Sequence, residues 1–363
     1  MKFCAIICEF NPLHNGHKYL IEKAKQITGL PVICLMSGNF CQRAETCCLN
    51  KYTRAKHAIE CGADIVFELP TIFATGSANT FARGAVNILK ELPVSHLAFG
   101  SECGDIEKLI KAKEFCKSLE NNPKVKEELE NGVNYKTALQ NIAKENSDVF
   151  DIISKPNNTL AIEYLKAIEQ TGIVPITIKR EDNYLCGKKE FCSSTTIRQA
   201  ILDHESAEIE SFVPSYVFCD FDKFKDDSNI KEHLFFALKT ATKGKLANLF
   251  SVSEGLENRI AKCAEKANNY DEFVEMCVTK RYSRIRIRRI ILENFFGITK
   301  TIAKDCLCTA VPTTILLAKS PTINFDGFFD KQINLVLKKS DRKKFANEFC
   351  LQIDLWAEKL YER

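Results

Sequence analysis

The sequence contains no long apolar run and none of the cysteine and histidine spacings typical of a metal site. No stretch approaches the roughly 18–20 consecutive apolar residues that a membrane-spanning helix needs. Seventeen cysteines are present, but none of them form a CxxC pair, and only Cys47 and Cys48 are adjacent. These absences argue against zinc binding and against a disulfide framework, so no metal ligand is predicted.

The sequence also lacks internal repeats, low-complexity tracts and a basic-plus-apolar leader, since Met1-Lys2 runs directly into a strand pattern. We therefore expect a cytoplasmic protein with free thiols, because the cytoplasm is reducing. Apolar residues make up 45% of the chain and charged residues 27%, which is typical of a soluble globular protein. At 363 residues the chain can form one large domain or two ordinary ones.

The first third of the sequence alternates apolar strand patterns with amphipathic helical ones. Strands are predicted over residues 3–9, 31–36, 63–69 and 95–99, and a fifth follows at 173–178. Helices are predicted between them over 17–27, 52–60 and 79–91. Continuous apolar strands separated by helices indicate βαβ units. The expected fold is therefore α/β, a Rossmann-like, doubly wound parallel sheet.

Two shifts in pattern divide the rest of the chain. Residues 105–151 are polar, helical and rich in Lys, Glu and Asn, which predicts an insertion rather than a second core. A helix begins at Ser194, no clear strand follows it, and from about residue 230 the pattern is helical with short strand-like runs. We therefore predict a first domain over 1–205, which contains the parallel sheet and the polar insertion, and a mainly helical domain over 206–363.

The motif His14-Asn15-Gly16-His17 follows the first strand and opens the first helix. A parallel strand delivers the chain to the edge of the sheet where ligands bind, and the helix N-terminus offers free N–H groups to an anion. Two imidazoles three positions apart can both donate to phosphate oxygens as pyrophosphate leaves. The alternative is a loop in which both histidines only cap the helix or pack against it.

A second hydroxyl-rich motif, Ser193-Ser194-Thr195-Thr196-Ile197-Arg198, stands before a predicted helix. Its hydroxyls can cap that helix and bind phosphate, and Arg198 in the first turn can reach the same phosphates. Alone the motif is an ordinary helix start. Together with HxGH it matches the two phosphate-binding halves of the nucleotidyltransferase (HUP-like) superfamily.

Longer segments resemble one family within that superfamily. They read ICEFNPLHNGHKYLIEKAK, LMSGNFCQRAE, NKYTRAKHAIECGADIVFELP, FARGAVNIL, HLAFGSE, PNNTLAIEYLKAI and KRYSRIRIRRIIL, and they span roughly residues 3–300. In this order they resemble the bacterial tRNA(Met) cytidine acetate ligases. The resemblance implies that acetate and ATP give acetyl-adenylate, and that the acetyl group passes to the wobble cytidine of elongator tRNA(Met), forming N4-acetylcytidine.

The resemblance also implies which residues bind ATP, with Mg²⁺ expected beside it. His14 and His17 are expected to be catalytic, on the phosphates, and Gly100 to let the nucleotide approach the backbone. Asn157 is expected to contact the nucleotide, with Asn158 as a weaker candidate, and Arg180 to reach it from the fifth strand. The full expected set is Ile7, Cys8, Glu9, Phe10, Asn11, Pro12, Leu13, His14, Asn15, Gly16, His17, Lys18, Tyr19, Leu20, Gly100, Asn157, Arg180, Ser194, Thr195 and Arg198.

The sequence departs from the family pattern in two places. QRAETC stands where a Gly-Glu-Pro turn is expected, so Ala44 replaces glycine, and PNNTLA replaces PNNILG. A changed turn beside the acid pocket bears on which acyl group is accepted. The ATP motif is unaffected.

Residues 280–289 read KRYSRIRIRR, six basic residues in ten. A helix continuing to Leu292 would bury Ile287, Ile290 and Ile291 and expose guanidiniums that suit RNA phosphates. Tyr282 could stack on an unpaired base. The alternative is a solvated face or an intramolecular salt-bridge strip. The expected tRNA contacts are Lys280, Arg281, Arg284, Arg286, Arg288 and Arg289, and a second patch over 338–344 could extend them.

Two other functions remain open at this stage. A small-molecule adenylyltransferase acting on a phosphorylated metabolite would share both phosphate motifs without needing a basic helix. An RNA-binding protein with ATP as a structural ligand would not need two histidines at this spacing. The expected partners are elongator tRNA(Met) and acetate, with no membrane and no stable protein partner.

Overall fold

The computed structural model describes residues 1–180, 184–185, 188–189, 192–308, 313–325 and 334–363. Its strands are β1 (Phe3–Cys8), β2 (Val32–Ser37), β3 (Ile65–Leu69), β4 (Val94–Ser101), β5 (Val174–Lys179), β6 (Tyr184–Leu185), β7 (Lys188–Lys189), β8 (Thr314–Lys319) and β9 (Leu335–Val336). Seven of them form one sheet in the order β5-β4-β1-β2-β3-β8-β9, and β6 pairs with β7. The pairs among β1 to β5 in the sheet are all parallel.

Helices cover this sheet and build the rest of the molecule. They are α1 (Asn15–Thr28), α2 (Lys51–Glu60), α3 (Thr71–Ala74), α4 (Ala78–Leu89), α5 (Ile106–Ser118), α6 (Pro123–Glu130), α7 (Tyr135–Ala143), α8 (Ser147–Ser154), α9 (Pro156–Ile168), α10 (Ser194–Leu202), α11 (Ser215–Phe218), α12 (Ser228–Lys239), α13 (Lys243–Ala247), α14 (Leu256–Lys266), α15 (Tyr270–Cys277), α16 (Arg284–Phe296), α17 (Lys300–Cys308) and α18 (Phe349–Glu362). None of the helices in the described ranges is long and apolar enough to cross a membrane.

The central strands are buried along their whole length, as expected for a sheet covered on both faces. Every residue of β1, β2 and β3 is buried. Their side chains alternate between two apolar clusters, one containing Phe3 and Ala5 and the other Cys4 and Ile6. The predicted Rossmann-like α/β fold is therefore confirmed, and the five predicted strands match β1 to β5 within two residues at each end.

Two strands, β8 and β9, contradict the expectation that no clear strand follows Ser194. Strand β8 pairs antiparallel with β3, so the C-terminal part of the chain extends the same sheet. Its sequence, TILLAK, is a short apolar run, and such runs do not distinguish a strand from a buried helix. The division into domains at residue 205 remains a prediction, and β8 ties the two predicted parts together.

The polar stretch over 105–151 forms the four helices α5 to α8. Helix α5 packs on the main core through Leu109 and Ala112, while Leu119, Val125 and Ala138 form a small apolar cluster of their own. The insertion therefore packs against the sheet domain beside α9, and it forms one wall of a cleft described below.

Candidate functional site

The chain turns sharply between β1 and α1, at the carboxyl edge of the sheet. Phe10 lies in the left-handed region with φ of 48°, which is uncommon for a residue with a bulky side chain. The Asn11–Pro12 peptide bond is cis. Non-glycine residues held in this region cluster at functional sites. The turn brings His14 to the N-cap of α1.

His14 and His17 cap α1 and stack on each other. The backbone N–H of Gly16 donates to Nδ1 of His14 (3.1 Å), and the backbone N–H of His14 donates to Nδ1 of His17 (3.3 Å). The ring centroids are 3.7 Å apart with an interplanar angle of 25°. Because each Nδ1 accepts a backbone proton, each neutral imidazole carries its own proton on Nε2. The capping arrangement thus leaves both Nε2–H groups as donors for a ligand.

Both imidazoles are neutral at pH 7 in this environment. Burial lowers the pKa of His14 to about 3, and the positive charge of Arg180 adds to the effect. Burial, then His14 and Arg180, lower the pKa of His17. Burial favours the uncharged form of histidine, and nearby cations act in the same direction. The negative charge of a bound phosphate would act in the opposite direction and favour the protonated imidazoles, so the site is suited to an anion.

The SSTTIR motif lies against this turn, as the pairing of the two motifs suggested. Ser193 caps α10 by accepting from Thr196 N, and Ser194 Oγ donates to Pro12 O (3.4 Å). Arg198 donates from one guanidinium nitrogen to Asn11 O (2.7 Å) and from the other to Thr195 Oγ1 (3.4 Å). Residues nearly two hundred positions apart therefore form one cluster with the HxGH turn.

Gly100, Asn157 and Arg180 meet at the ends of β4 and β5. A Cβ on Gly100 would lie 3.2 Å from Arg180 Cγ, so the glycine allows the arginine to cross it. Arg180 donates to Asn157 Oδ1 (3.5 Å), and Asn157 Nδ2 donates to Glu102 (2.8 Å). Asn158 is buried and accepts from Cys103 N (3.0 Å), which gives it a structural contact.

Not every expected ATP residue shares this cluster. Ile7 and Cys8 are buried strand residues, and Leu13 is buried beneath the turn. Lys18 pairs with Glu22 along α1 (3.9 Å), and Lys23 lies over the ring of Tyr19. Leu20 packs against a core cluster, and Asn15 Nδ2 donates to Ser211 O (2.8 Å). The side chains of these residues are buried in the core or have other partners, so the residues lie near the turn mainly through their backbones.

Two residues that sequence reasoning missed hold the turn in place. Arg54 is fully buried and donates to Leu49 O (2.9 Å), Glu9 O (2.5 Å), Ser37 O (3.1 Å) and Gly38 O. It therefore clamps the ends of β1 and β2. The sequence offered no signal for this role, because an arginine on α2 resembles any charged residue of an exposed helix face.

The other missed residue is Gln42. Its backbone N–H donates to Glu9 Oε1 (2.7 Å), and its side chain donates to Gly76 O (3.3 Å). Burial raises the pKa of Glu9, opposed by this hydrogen bond and by Arg198. Gln42 belongs to the QRAETC turn, which was noted only as a departure from the family pattern. Ala44 in the same turn has φ of 55°, in the region that favours glycine.

The predicted basic helix is α16, and its apolar face is buried as expected at Ile287, Ile290 and Ile291. Arg289 is buried as well, which corrects its assignment to an RNA surface. It donates to Thr75 O (2.7 Å) and Gly76 O (2.9 Å) because it lies on the inward face of the helix. It serves packing between α16 and the turn before α4.

Tyr282 is similarly withdrawn from solvent. It is buried, and the guanidinium of Arg286 lies over its ring at 5.3 Å, so it does not present a free face for an unpaired base. The stacking interpretation of Tyr282 is therefore wrong.

The other arginines of the segment each have an intramolecular partner. Arg281 pairs with Glu254 (3.0 Å), Arg284 with Glu275, and Arg288 with Glu45, while Arg286 donates to Ser251 O (3.1 Å). The salt-bridge alternative thus describes much of the segment. Arg284 remains about half exposed, and Lys280 is exposed.

The patch over 338–344 divides in the same way. Arg342 pairs with Glu358 (3.1 Å) and Lys344 with Asp341 (3.1 Å), whereas Lys338, Lys339 and Lys343 are exposed. Whether any of these cations meets RNA remains a prediction.

Comparison with known proteins places this arrangement in a family. The model of the HIGH Nucleotidyl Transferase family matches residues 1–362. A tRNA(Met) cytidine acetate ligase of Acetivibrio thermocellus is 37% identical, over 82% of this chain and 78% of that one. This chain belongs to the HIGH nucleotidyl transferase family, among its tRNA(Met) cytidine acetate ligases. A second such relative, from Clostridium kluyveri, is 34% identical over 99% of this chain and 94% of its own length.

Solved structures support the same assignment. The Thermotoga maritima protein TmcAL, bound with alpha-thio ATP, superposes with a TM-score of 0.84 at 27% identity, over 99% of this chain and 92% of that one. Its apo form gives a TM-score of 0.85 at 28% identity. The predicted family and fold are confirmed, and the match over 99% of the chain includes β8 and α18.

The His, Cys, Asp and Glu side chains of the described ranges are dispersed. No group of three or more His, Cys, Asp or Glu side chains there could hold a metal ion. The cysteines described are free, and most are buried. They pack as small apolar residues.

Proposed function

We propose that this protein is an ATP-dependent ligase that converts acetate to acetyl-adenylate and transfers the acetyl group to the wobble cytidine of elongator tRNA(Met), forming N4-acetylcytidine. The observation that carries the proposal is the pair of neutral histidines capping α1, each with Nε2–H available to a phosphate. Family membership supports both the activation step and the RNA acceptor.

In the activation step, a carboxylate oxygen of acetate attacks the α-phosphorus of ATP. The bond from that phosphorus to the bridging oxygen breaks, and pyrophosphate leaves with its electron pair. His14 and His17 donate to oxygens that gain charge, at a helix N-terminus that also favours anions. Arg180 and Arg198 are cations on either side of the same turn. No general base is needed, because the carboxylate is already nucleophilic at neutral pH.

In the transfer step, the exocyclic amine of cytidine attacks the carbonyl carbon of acetyl-adenylate. A C–N bond forms, the bond from that carbon to the phosphate oxygen breaks, and AMP leaves. The nitrogen gives up one proton. Mg²⁺ binds ATP through phosphates and usually keeps several waters, so it needs no cage of protein ligands. The residues of this turn accordingly supply donors and cations rather than a metal site.

Exchange of labelled pyrophosphate into ATP tests the first step. We expect exchange that depends on acetate and does not require RNA, and acetylcytidine in tRNA(Met) only when acetate, ATP and tRNA are all present. A small-molecule adenylyltransferase would instead release pyrophosphate with a phosphorylated metabolite and ignore tRNA. A protein that holds ATP only as a structural ligand would show no exchange with any acid.

A further inference from the structure

The helical insertion and the basic segment, which are far apart in the sequence, form opposite walls of one cleft. Asn134 at the start of α7 donates to Lys280 O (3.3 Å), and Arg281 donates to Leu129 O (3.2 Å). These two contacts join the walls at one end. Between the walls lies a cleft of about 470 Å³, bounded below by α4 and α9.

The cleft has an apolar floor and a cationic rim. Leu139, Ile162 and Ile285 contribute flat apolar surface. Lys136 and Arg286 contribute positive charge above it. This combination suits a planar heteroaromatic ring with phosphate groups attached, because the ring packs on apolar side chains while the phosphates remain at the wet edge.

Lys136 differs from the other cations around the cleft. Arg281, Arg286 and Lys166 have hydrogen-bond or ion-pair partners. Over the described ranges, Lys136 makes neither a hydrogen bond nor an ion pair. Desolvation lowers its pKa, opposed by the carboxylate of Glu102. A cation with no committed partner beside an apolar floor is available to an incoming anion.

The cleft meets the nucleotide cluster at two points. Gln42 lines the cleft, and its backbone N–H holds the carboxylate of Glu9 at the end of β1 (2.7 Å). On the other side lies Glu102, whose negative charge raises the pKa of Lys136. Its carboxylate accepts from Asn157 Nδ2 (2.8 Å). A ligand in the cleft therefore lies next to the end of the turn where the adenylate would form.

The size of the cleft limits what can occupy it. It lies within the range of about 300–1,000 Å³ typical of small-ligand pockets, so it is far larger than acetate requires. It is too small to admit a nucleic-acid helix. An unpaired nucleotide turned out of its stack fits both limits, and enzymes that modify bases commonly take their target this way.

We propose that the cleft between α7 and the N-terminal end of α16 binds the unpaired cytidine that receives the acetyl group, with its base on the apolar floor and a flanking phosphate on Lys136. This inference rests on the proposed function, since it specifies where the RNA acceptor enters. It predicts that the reacting base contacts the insertion as well as the basic segment.

The test uses the full chain with one charge reversal and a matched control. Lys136→Glu reverses the free cation, and Lys124→Glu makes the same change on α6, at an exposed residue outside the cleft. Binding of a tRNA(Met) anticodon stem-loop is measured by fluorescence anisotropy, which needs no catalysis. We expect Lys136→Glu to weaken binding by about tenfold or more, the loss of one charge-assisted contact, and Lys124→Glu by less than about twofold.

Two further measurements separate this inference from the function on which it rests. Acetyl transfer should fall at least about tenfold more than pyrophosphate exchange in Lys136→Glu, since the lost contact is to RNA. A stem-loop carrying 5-iodocytidine at the reacting position should crosslink on irradiation to the peptide containing Tyr135, which is half exposed at the cleft.

Equal RNA affinities for the two variants, or a crosslink confined to another surface, would overturn the cleft as the cytidine site and leave the ligase activity standing. An equal fall in exchange and transfer would assign Lys136 to ATP, and would also overturn it. If wild-type protein shows no acetate-dependent exchange while the stem-loop still binds and crosslinks as expected, the proposed function fails and the cleft remains an RNA site.

Discussion

The HxGH turn and the basic segment over 280–289 both concentrate polar side chains, but they use them differently. In the turn, Nδ1 of His14 and Nδ1 of His17 each accept from a backbone N–H, and the Nε2–H groups remain available to a ligand. In the basic segment, the guanidinium of Arg289 donates to two backbone carbonyls, and those of Arg284 and Arg288 pair with carboxylates. A polar cluster is thus a binding site only to the extent that its own fold leaves donors uncommitted.

One residue connects the two regions. Glu45 accepts from Arg288 of the basic segment and lies 3.7 Å from Arg198 of the SSTTIR motif. It belongs to the QRAETC turn, which also supplies Gln42 to the cleft. Changes in this turn should therefore affect both regions.

The largest expected effect is on the turn. His17→Ala should lower acetate-dependent pyrophosphate exchange by about 10²–10³-fold, the cost of removing one preorganised donor to a transition-state oxyanion. The melting temperature should change little, because His17 is only partly buried. His233→Ala, which removes a partly exposed histidine on α12 outside the turn, is the control and should leave exchange unchanged. Exchange at the wild-type rate in His17→Ala would remove the catalytic role from the turn.

The second prediction divides the basic segment itself. Arg289→Ala should lower the free energy of unfolding by about 3 kcal/mol, because it removes a buried side chain and leaves the carbonyl of Thr75 without its donor, while Gly76 O keeps only the donor from Gln42. Arg284→Ala should cost less than about 1 kcal/mol, since its ion pair with Glu275 is exposed. Urea unfolding compares the two.

The same pair of variants sharpens the RNA assignment. Arg284→Ala should reduce the slope of log affinity for tRNA against log salt by about one unit if its guanidinium meets a phosphate. An unchanged slope would place Arg284 with Arg289, as a residue committed to the fold. Circular dichroism must show that each variant is folded before its affinity is compared.

The third prediction concerns how the stability of the protein depends on pH. The folded protein binds fewer protons at His14 than the unfolded chain between pH values of about 3 and 6.5, because the pKa falls from 6.5 to about 3 on folding. Stability should therefore rise with pH across this window and lose its dependence on His14 above it. The contribution is up to about 1.4 kcal/mol per pH unit.

His14→Asn isolates this contribution, because asparagine keeps an acceptor at the N-cap but does not titrate. Between pH 6.5 and 4.5 the wild type should lose about 2–3 kcal/mol more stability than the variant, measured by urea unfolding. Parallel curves for wild type and His14→Asn would mean that His14 is not held neutral.

The smallest effect is expected at Ala44. A left-handed alanine costs about 1–2 kcal/mol, while replacing it by glycine loses a buried methyl worth about 0.8 kcal/mol and adds chain entropy. These contributions nearly cancel, so Ala44→Gly should change stability by less than about 0.5 kcal/mol. Ala55→Gly, at a buried position in α2 without the left-handed strain, should cost about 1.5 kcal/mol. Equal losses would argue against the strained turn.

Local patterns were sufficient for the first half of the fold and for the turn. Strands β1 to β5 are mostly apolar, and the four residues of HxGH follow the turn at the end of β1 and open the first helix. Contacts that join distant segments were not predictable. Nothing in the sequence near Arg54 or Arg289 shows that each is buried under backbone carbonyls, because those carbonyls come from other elements.

Strand β8 was missed for a related reason. Its six residues define no period, and its partner β3 lies far away in the chain. The choice of acid and RNA depended on the family resemblance, because the motifs alone also fitted a small-molecule adenylyltransferase and left an RNA-binding protein with structural ATP as an alternative. Within the basic segment, the sequence did not distinguish the arginines from one another, whereas the structure shows that they differ in burial.

The position of β8 also determines when the protein can finish folding during its synthesis. Thr314 hydroxyl donates to the carbonyl of Glu68, which precedes it by 246 positions, and β8 covers the edge of β3. Helix α18 then adds a carboxylate of Asp354 to Thr71 N (2.6 Å) and the hydroxyl of Tyr361 to Cys47 O (3.0 Å). A growing chain thus leaves the ribosome with an open sheet edge, which pairs readily with other strands. Translation that stops before Thr314 would release a product that carries the whole HxGH turn but an unfinished sheet.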